Sequence, residues 1–171
     1  TVEAGKKATV NAEGDDDKFV VADTNSIFNV GDDAVLTLTG KKITGAGELQ
    51  LLGKGTLVLE APVTVATDLK ITEGGTLVAD VNNALPLTSA LTIDNGSIVV
   101  NGTGFGAPST ELPLSKGNLT LNKSMRDTIN KVTMTDGTLT VADGVKIGKN
   151  APLDGEVDLK AAGQLVLDGN L

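Results

Sequence analysis

The sequence predicts an all-β fold, namely a parallel β-helix or solenoid of about seven coils with roughly 21 residues in each. Three observations support this prediction. A short apolar phrase, GTLVL at residues 55–59, returns in modified form at a near-constant interval. Apolar residues occupy alternate positions in each return, which is the period of a β-strand. No stretch has an apolar helical period long enough to cover a sheet face, which excludes a doubly wound α/β fold.

The glycine that opens each phrase marks the spacing of the coils. Successive glycines are 20, 21, 21, 20 and 26 residues apart. They are Gly55, Gly75, Gly96, Gly117, Gly137 and Gly163. We expect glycine at this corner either because the backbone there has positive φ or because the neighbouring coil approaches closely.

Each coil also has a first strand, which precedes the glycine and is marked by two apolar residues at alternate positions. The pairs are Leu49/Leu51, Leu69/Ile71, Leu91/Ile93, Leu112/Leu114, Val132/Met134 and Val157/Leu159. A third, looser segment follows the second strand, at residues 63–65 in one coil and 85–87 in the next. An antiparallel sandwich would also have short alternating strands. It would not repeat a two-strand phrase in constant phase.

The same alternation predicts which side chains form the core. One inward ladder comprises Leu57, Leu77, Ile98, Leu119, Leu139 and Leu165, and a second comprises Leu59, Val100, Leu121, Val141 and Leu167. We expect one β-solenoid domain over residues 1–171, with an irregular first coil at 1–27 and regular coils at 28–171. Because the chain begins with Thr1 rather than with Met, we interpret it as a processed chain or a fragment.

Composition narrows the classes of partner. The formal net charge is −8, and Arg126 is the only arginine. A chain with so few basic side chains cannot form an extensive phosphate-binding surface. We therefore expect no nucleic-acid partner. No run approaches the roughly 18 apolar residues of a membrane span, so we expect no membrane insertion. Aromatic residues make up only 2% of the chain, so the core must be aliphatic and narrow.

With the repeat laid out, the chain resembles the passenger regions of bacterial autotransporters and related filamentous β-helical adhesins. The phrases that carry the resemblance are KGTLVL at residues 54–59 and TVEAG at residues 1–5. The resemblance implies a right-handed β-helix at the bacterial cell surface or outside the cell. It also implies a non-catalytic role as an adhesin or stalk, with a host or matrix surface as a possible partner.

The alternative function is a carbohydrate-active β-helix, either a tailspike-like glycosidase or a pectate-lyase-like fragment. Glycoside cleavage needs two facing carboxylates, and the acids near the coil corners are Asp80, Asp94, Asp136 and Asp143. Lyases of that fold are typified by an arginine base and a calcium ion bound by aspartate. In this chain only Arg126 and Asp127 are candidates for those two roles. Histidine, cysteine, tryptophan and tyrosine are absent, so we predict no enzyme activity, no catalytic residue and no cofactor.

Two acidic turns raise the alternative of a calcium site. They are Asp15-Asp16-Asp17 and Asp32-Asp33. Calcium binds several carboxylate and carbonyl oxygens, but the spacing matches neither an EF-hand loop nor the nonapeptide calcium repeat. We therefore interpret these acids as solvated turn residues. The Asn-x-Ser/Thr triplets at Asn95, Asn101, Asn118 and Asn122 are expected by chance in such a composition, and we assign them no role.

The outward face of the second strand is the candidate functional surface. Its positions are Val58, Val78, Val99, Thr120, Thr140 and Val166, flanked by Thr56, Thr76, Ser97, Asn118, Thr138 and Gln164. This face is uncharged and partly apolar on an acidic molecule. The alternative interpretation is that β-branched residues occupy these positions only because they favour strands. We predict that the chain associates with itself through this face or through end-on stacking of its terminal coils, or that it continues as a longer rod. Changes near Ala4 or Leu171 should then affect only end-on joining.

Overall fold

The computed structural model describes residues 1, 3, 5–12, 19–21, 26–40, 43–45, 49–65, 69–82, 91–93, 95–104, 111–114, 116–124, 131–143, 145, 147 and 156–168. All regular elements within these ranges are β-strands. They are β1 (Lys7–Ala12), β2 (Phe19–Val21), β3 (Ser26–Asn29), β4 (Val35–Gly40), β5 (Ile43–Gly45), β6 (Leu49–Leu52), β7 (Thr56–Glu60), β8 (Val63–Val65), β9 (Leu69–Ile71), β10 (Thr76–Ala79), β11 (Leu91–Ile93), β12 (Ser97–Val100), β13 (Glu111–Leu114), β14 (Gly117–Leu121), β15 (Lys131–Ala142) and β16 (Glu156–Asp168).

The strands form three parallel sheets. The largest has the order β1-β4-β7-β10-β12-β14-β15-β13, and β16 also pairs with β15. A second sheet has the order β11-β9-β6-β3, and the third has the order β2-β5-β8. Strands that follow one another in the chain, such as β6, β7 and β8, lie in different sheets. The chain therefore winds as stacked coils, and the described strands from β3 to β10 make about three turns of a β-solenoid.

The predicted strands and their phase agree with the structure. Leu49 pairs with Leu69, and Leu69 pairs with Leu91, so the first-strand residues stack in register. The third segment at residues 63–65 is β8, and it pairs with β5. Residues 85–87, which were expected to form the same segment in the next coil, lie outside the described residues.

Residues 1–27 include strands that pair with the later coils. Within them, β1 pairs with β4 over six residue pairs, from Lys7↔Val35 to Ala12↔Gly40. Likewise β2 pairs with β5. The described strands at the start of the chain therefore stack in the same parallel arrangement as the later coils.

Toward the end of the chain, the corner between the first and second strands disappears. Each of β15 and β16 combines both strands in one run, of 12 and 13 residues. As a result β13 and β14 pair with successive parts of β15. The pairing of β15 with β16 has a register shift between Met134 and Asp136, where the corner lies in the other coils.

The core is a stack of aliphatic side chains, as the alternation predicts. The described members of both inward ladders are buried, including Leu57, Leu119 and Leu139 at 0% exposure. Leu165 and Leu167 pair in register with Leu139 and Val141, but their side chains lie outside the description. The first strands close the core from the other side with buried Leu51, Ile71, Ile93 and Val132. Burial of each such side chain contributes about 1.5–3 kcal/mol to folding.

The corner glycine is required chiefly because the coils approach closely. A Cβ at Gly96 would overlap Cγ2 of Ile71 and lie 2.9 Å from the Gly75 carbonyl oxygen. The positive φ falls mainly on residues before this glycine, as in Asn95 (φ 62°) and Lys116 (φ 49°). Among the five repeat glycines from Gly55 to Gly137, all of them described, only Gly137 has positive φ (119°).

We expect Leu119→Ala to destabilise the chain by about 2–5 kcal/mol. The substitution leaves a cavity in the core, and the stacked neighbouring coils prevent that cavity from collapsing. Thermal unfolding followed by circular dichroism measures this. Thr120→Ala, one residue further and half-exposed on the outer face, is the matched control and should change stability by less than about 1 kcal/mol. Equal melting temperatures for Leu119→Ala and the unmodified chain would show that the assigned strand phase is wrong.

Candidate functional site

The six residues of the candidate face occupy one column of the largest sheet. Backbone pairing links each to the next: Val58↔Val78, Val78↔Val99, Val99↔Thr120, Thr120↔Thr140 and Thr140↔Val166. Thr37 extends the column by one coil through its pairing with Val58. The side chains from Thr37 to Thr140 are half-exposed, while their inward neighbours are buried. We call this column the Val/Thr column.

A second outward column runs beside it, two residues earlier in each strand. It contains Val35, Thr56, Thr76, Ser97, Asn118, Thr138 and Gln164. All these residues are uncharged, and Asn118 Nδ2 donates a hydrogen bond to Ser97 Oγ at 3.5 Å. Adjacent strands of a sheet are about 4.8 Å apart. The two columns therefore form a regular grid of small β-branched and polar side chains.

A polar ladder borders the Val/Thr column at the end of the second strand. Asn101 Nδ2 donates to Asp80 Oδ1 at 2.7 Å, and Asn122 Nδ2 donates to Asn101 Oδ1 at 2.7 Å. Backbone hydrogen bonds align these side chains, because Asn101 N donates to the Ala79 oxygen and Asn122 N donates to the Val100 oxygen, both at 2.9 Å. The pairing thus continues one residue past each strand.

A structural role for Asn101 and Asn122 is not anticipated from the sequence. Their side chains tie three successive coils together. The signal was present in the sequence, since Asp80, Asn101 and Asn122 are each 21 residues apart. The ladder does not continue in the same way, because Ala142 follows Val141, the register partner of Leu121, and thus takes the place of an asparagine.

The candidate catalytic acids are not brought together in the described part of the chain. Asp80 is bonded within the ladder. Asp136 lies just before Gly137, whereas Asp143 follows the end of β15. Asp136 and Ala142 are six positions apart along β15, which corresponds to a rise of roughly 20 Å. Asp94, Arg126 and Asp127 lie outside the described residues.

The acidic turn at Asp32 and Asp33 is open to solvent. Lys54 Nζ lies 3.8 Å from Asp32 Oδ2, and the two side chains are 69% and 64% exposed. Such an exposed ion pair contributes little to stability. In the described ranges, no group of three or more His, Cys, Asp or Glu side chains could hold a metal ion. Residues 15–17, the other turn considered for calcium, lie outside those ranges.

The ends of the largest sheet are edge strands within the described residues. There β1 pairs only with β4, and β16 pairs only with β15. An edge strand has N–H and C=O groups along one side that can pair with another strand. Ala4 and Leu171, near which end-on joining was expected, lie outside the described residues.

Comparison with known proteins identifies no relative: no family model, curated protein or solved structure matches the chain. Among the described residues, no helix is both long and apolar enough to span a membrane.

We expect Asn101→Ala to destabilise the chain by about 1–3 kcal/mol, because Asn101 makes two ladder hydrogen bonds and each contributes about 0.5–1.5 kcal/mol. Chemical denaturation measures the loss. Asn101→Asp keeps the shape but cannot donate to Asp80, and it should be at least as destabilising. Thr103→Ala, at a nearby exposed position, is the control. If Asn101→Ala is as stable as that control, the ladder does not hold the coils together.

Proposed function

We propose that the chain is a non-catalytic, extracellular structural or adhesive β-solenoid that self-associates or forms part of a longer rod or filament on a bacterial cell surface. In this proposal the stacking of the described turns continues through about seven right-handed coils. The observation that supports it best is the uncharged grid of the Val/Thr column and its neighbouring column.

The grid differs from the rest of the molecule in charge. The chain has a formal net charge of −8, yet both outward columns lack charged residues. Charged groups begin only at the border, where Glu60 and Asp80 are exposed. Covering the grid with another protein surface would therefore remove half-exposed valine and threonine side chains from water without desolvating a charge.

A second copy of the same chain is the partner that fits this grid. Two flat sheets can pack face to face with interdigitating side chains at about 10 Å separation. Two such grids have matching strand spacing and no like charges to oppose. Acidic side chains outside the grid repel those of the other copy, but this repulsion is screened beyond about 8–10 Å at physiological salt.

The size of the grid limits the strength of this contact. Seven strands at about 4.8 Å and a width of two outward positions give an area on the order of 400–500 Å² per partner. A standard stable interface buries about 800 Å² per partner. Lateral association of one chain is therefore expected to be weak, and it would strengthen through multivalency along a longer rod.

End-on joining supplies that longer rod. A parallel sheet can add a strand at β1 or at β16, provided by the rest of a longer chain or by a second copy. Head-to-tail contacts of this kind use different surfaces on the two partners and do not close, so they produce open filaments.

The surface location and the adhesive role depend on the resemblance of the sequence phrases to autotransporter passengers. On that basis a host or matrix surface is a further partner. The non-catalytic part of the proposal is tested by incubating the chain with a panel of polysaccharides. Release of reducing sugar would contradict it.

We expect Val78→Lys combined with Val99→Glu to weaken lateral self-association by at least about tenfold, since both charges would have to be buried in the contact. Sedimentation velocity over a concentration series measures this. Thr103→Lys is the matched control for the added positive charge, because Thr103 is exposed but lies off the grid. If the unmodified chain stays monomeric at all concentrations, or if the variants and the control associate equally, the grid is not a self-association surface.

A further inference from the structure

We propose that Asn95 is a site of spontaneous succinimide formation in the folded chain, and hence of conversion to aspartate and isoaspartate. The sequence contains two Asn-Gly pairs, Asn95-Gly96 and Asn101-Gly102. Glycine leaves the asparagine side chain open to its own following backbone nitrogen, because it has no Cβ. The two pairs differ in their surroundings: the Asn95 side chain is exposed and that of Asn101 is half-buried, while both glycines are buried.

The reaction needs water as its only co-reactant. The backbone nitrogen of Gly96 attacks Cγ of Asn95 and forms a new C–N bond. The side-chain nitrogen leaves as ammonia, carrying the proton that the Gly96 nitrogen loses. One water then opens the five-membered ring. Opening between Cγ and the ring nitrogen gives aspartate, and opening between the backbone carbonyl carbon and that nitrogen gives isoaspartate.

The side-chain amide of Asn95 is open to solvent. Its side chain is exposed at the corner before β12, and its φ is 62°. Among the residues that the structure describes, neither the Asn95 side-chain amide nor the Gly96 N–H has a hydrogen-bond partner. No hydrogen bond to a described residue therefore holds the leaving amide or the Gly96 N–H, although Gly96 itself is buried.

Asn101 is restrained on every group that the reaction uses. Its Nδ2 donates to Asp80 and its Oδ1 accepts from Asn122, both at 2.7 Å. The nucleophile of this pair, the Gly102 nitrogen, donates to the Ala79 oxygen at 3.2 Å. Ring closure at Asn101 would have to break these three hydrogen bonds, which makes it the internal control for Asn95.

Conversion of Asn95 would alter the contact of its coil with both neighbours. The Asn95 nitrogen donates to the Lys116 oxygen at 3.2 Å, and the Asn95 oxygen accepts from the Gly74 nitrogen. Aspartate would add a negative charge at this corner. Isoaspartate would add a carbon to the backbone path and displace one of these bonds from its partner. The change is slow and irreversible, and it loosens one defined corner of the solenoid.

The test follows modification of the folded, full-length chain in mildly alkaline buffer. Peptide mapping by mass spectrometry measures deamidation at each asparagine, and enzymatic methylation detects isoaspartate. We expect Asn95 to convert at least about tenfold faster than Asn101, because Asn101 must first lose its hydrogen bonds. In denaturant the two rates should converge, since the two dipeptides are chemically alike.

Asn95→Gly provides the matched variant, because glycine accepts positive φ without strain. It should retain the melting temperature of the parent, abolish early isoaspartate formation and leave the slow rate at Asn101 unchanged. Equal rates at Asn95 and Asn101 in the folded chain would overturn the inference. Modification of Asn95 only in denaturant, or persistence of early isoaspartate in Asn95→Gly, would overturn it as well.

Discussion

Every other feature of this molecule depends on parallel backbone pairing between equivalent residues of successive coils. When Leu57 pairs with Leu77 and Leu77 with Ile98, the same register also aligns the outward residues. A slip of one residue would exchange the buried and exposed faces of a whole strand. The buried aliphatic ladder therefore fixes the register, because only one phase keeps its side chains away from water. The outer columns take their regularity from that constraint rather than from contacts of their own.

The corner glycine and the polar ladder of Asp80, Asn101 and Asn122 stabilise this register at the two ends of the second strand. At the start, Gly96 permits a coil to lie against Ile71 and Gly75 without a Cβ between them. At the end, Asn101 bonds to the residues before and after it in the stack. The coils are thus tied at both sides of the strand whose outer face is the candidate surface. This explains how a chain with so few aromatic residues can present a regular grid.

The sequence was sufficient to predict the alternation of the described strands, its phase and the core, because each depends on a local period of two. It did not predict that the first and second strands join into one in β15 and β16. Leu119 could be assigned to the interior from its own phrase alone, and so could Val99 to the exterior. The role of the corner glycine could not be settled in this way. Positive φ and close approach both select glycine, and only the position of Ile71 distinguishes them. The Asn101 bonds were missed because they join residues that are adjacent only after the coils are stacked, although their spacing in the sequence was visible.

The most direct test of the account is intramolecular disulfide formation between positions that the register places together, in a chain with no native cysteine. Val78 and Val99 are register partners, so their Cα atoms lie about 4.8 Å apart. This is within the roughly 4.4–6.8 Å that a disulfide spans. Cysteines at Val78 and Val99 should therefore cross-link on mild oxidation, whereas cysteines at Val78 and Thr120, two coils apart, should not. Efficient cross-linking of the second pair, or none of the first, would contradict the parallel stacking of the coils.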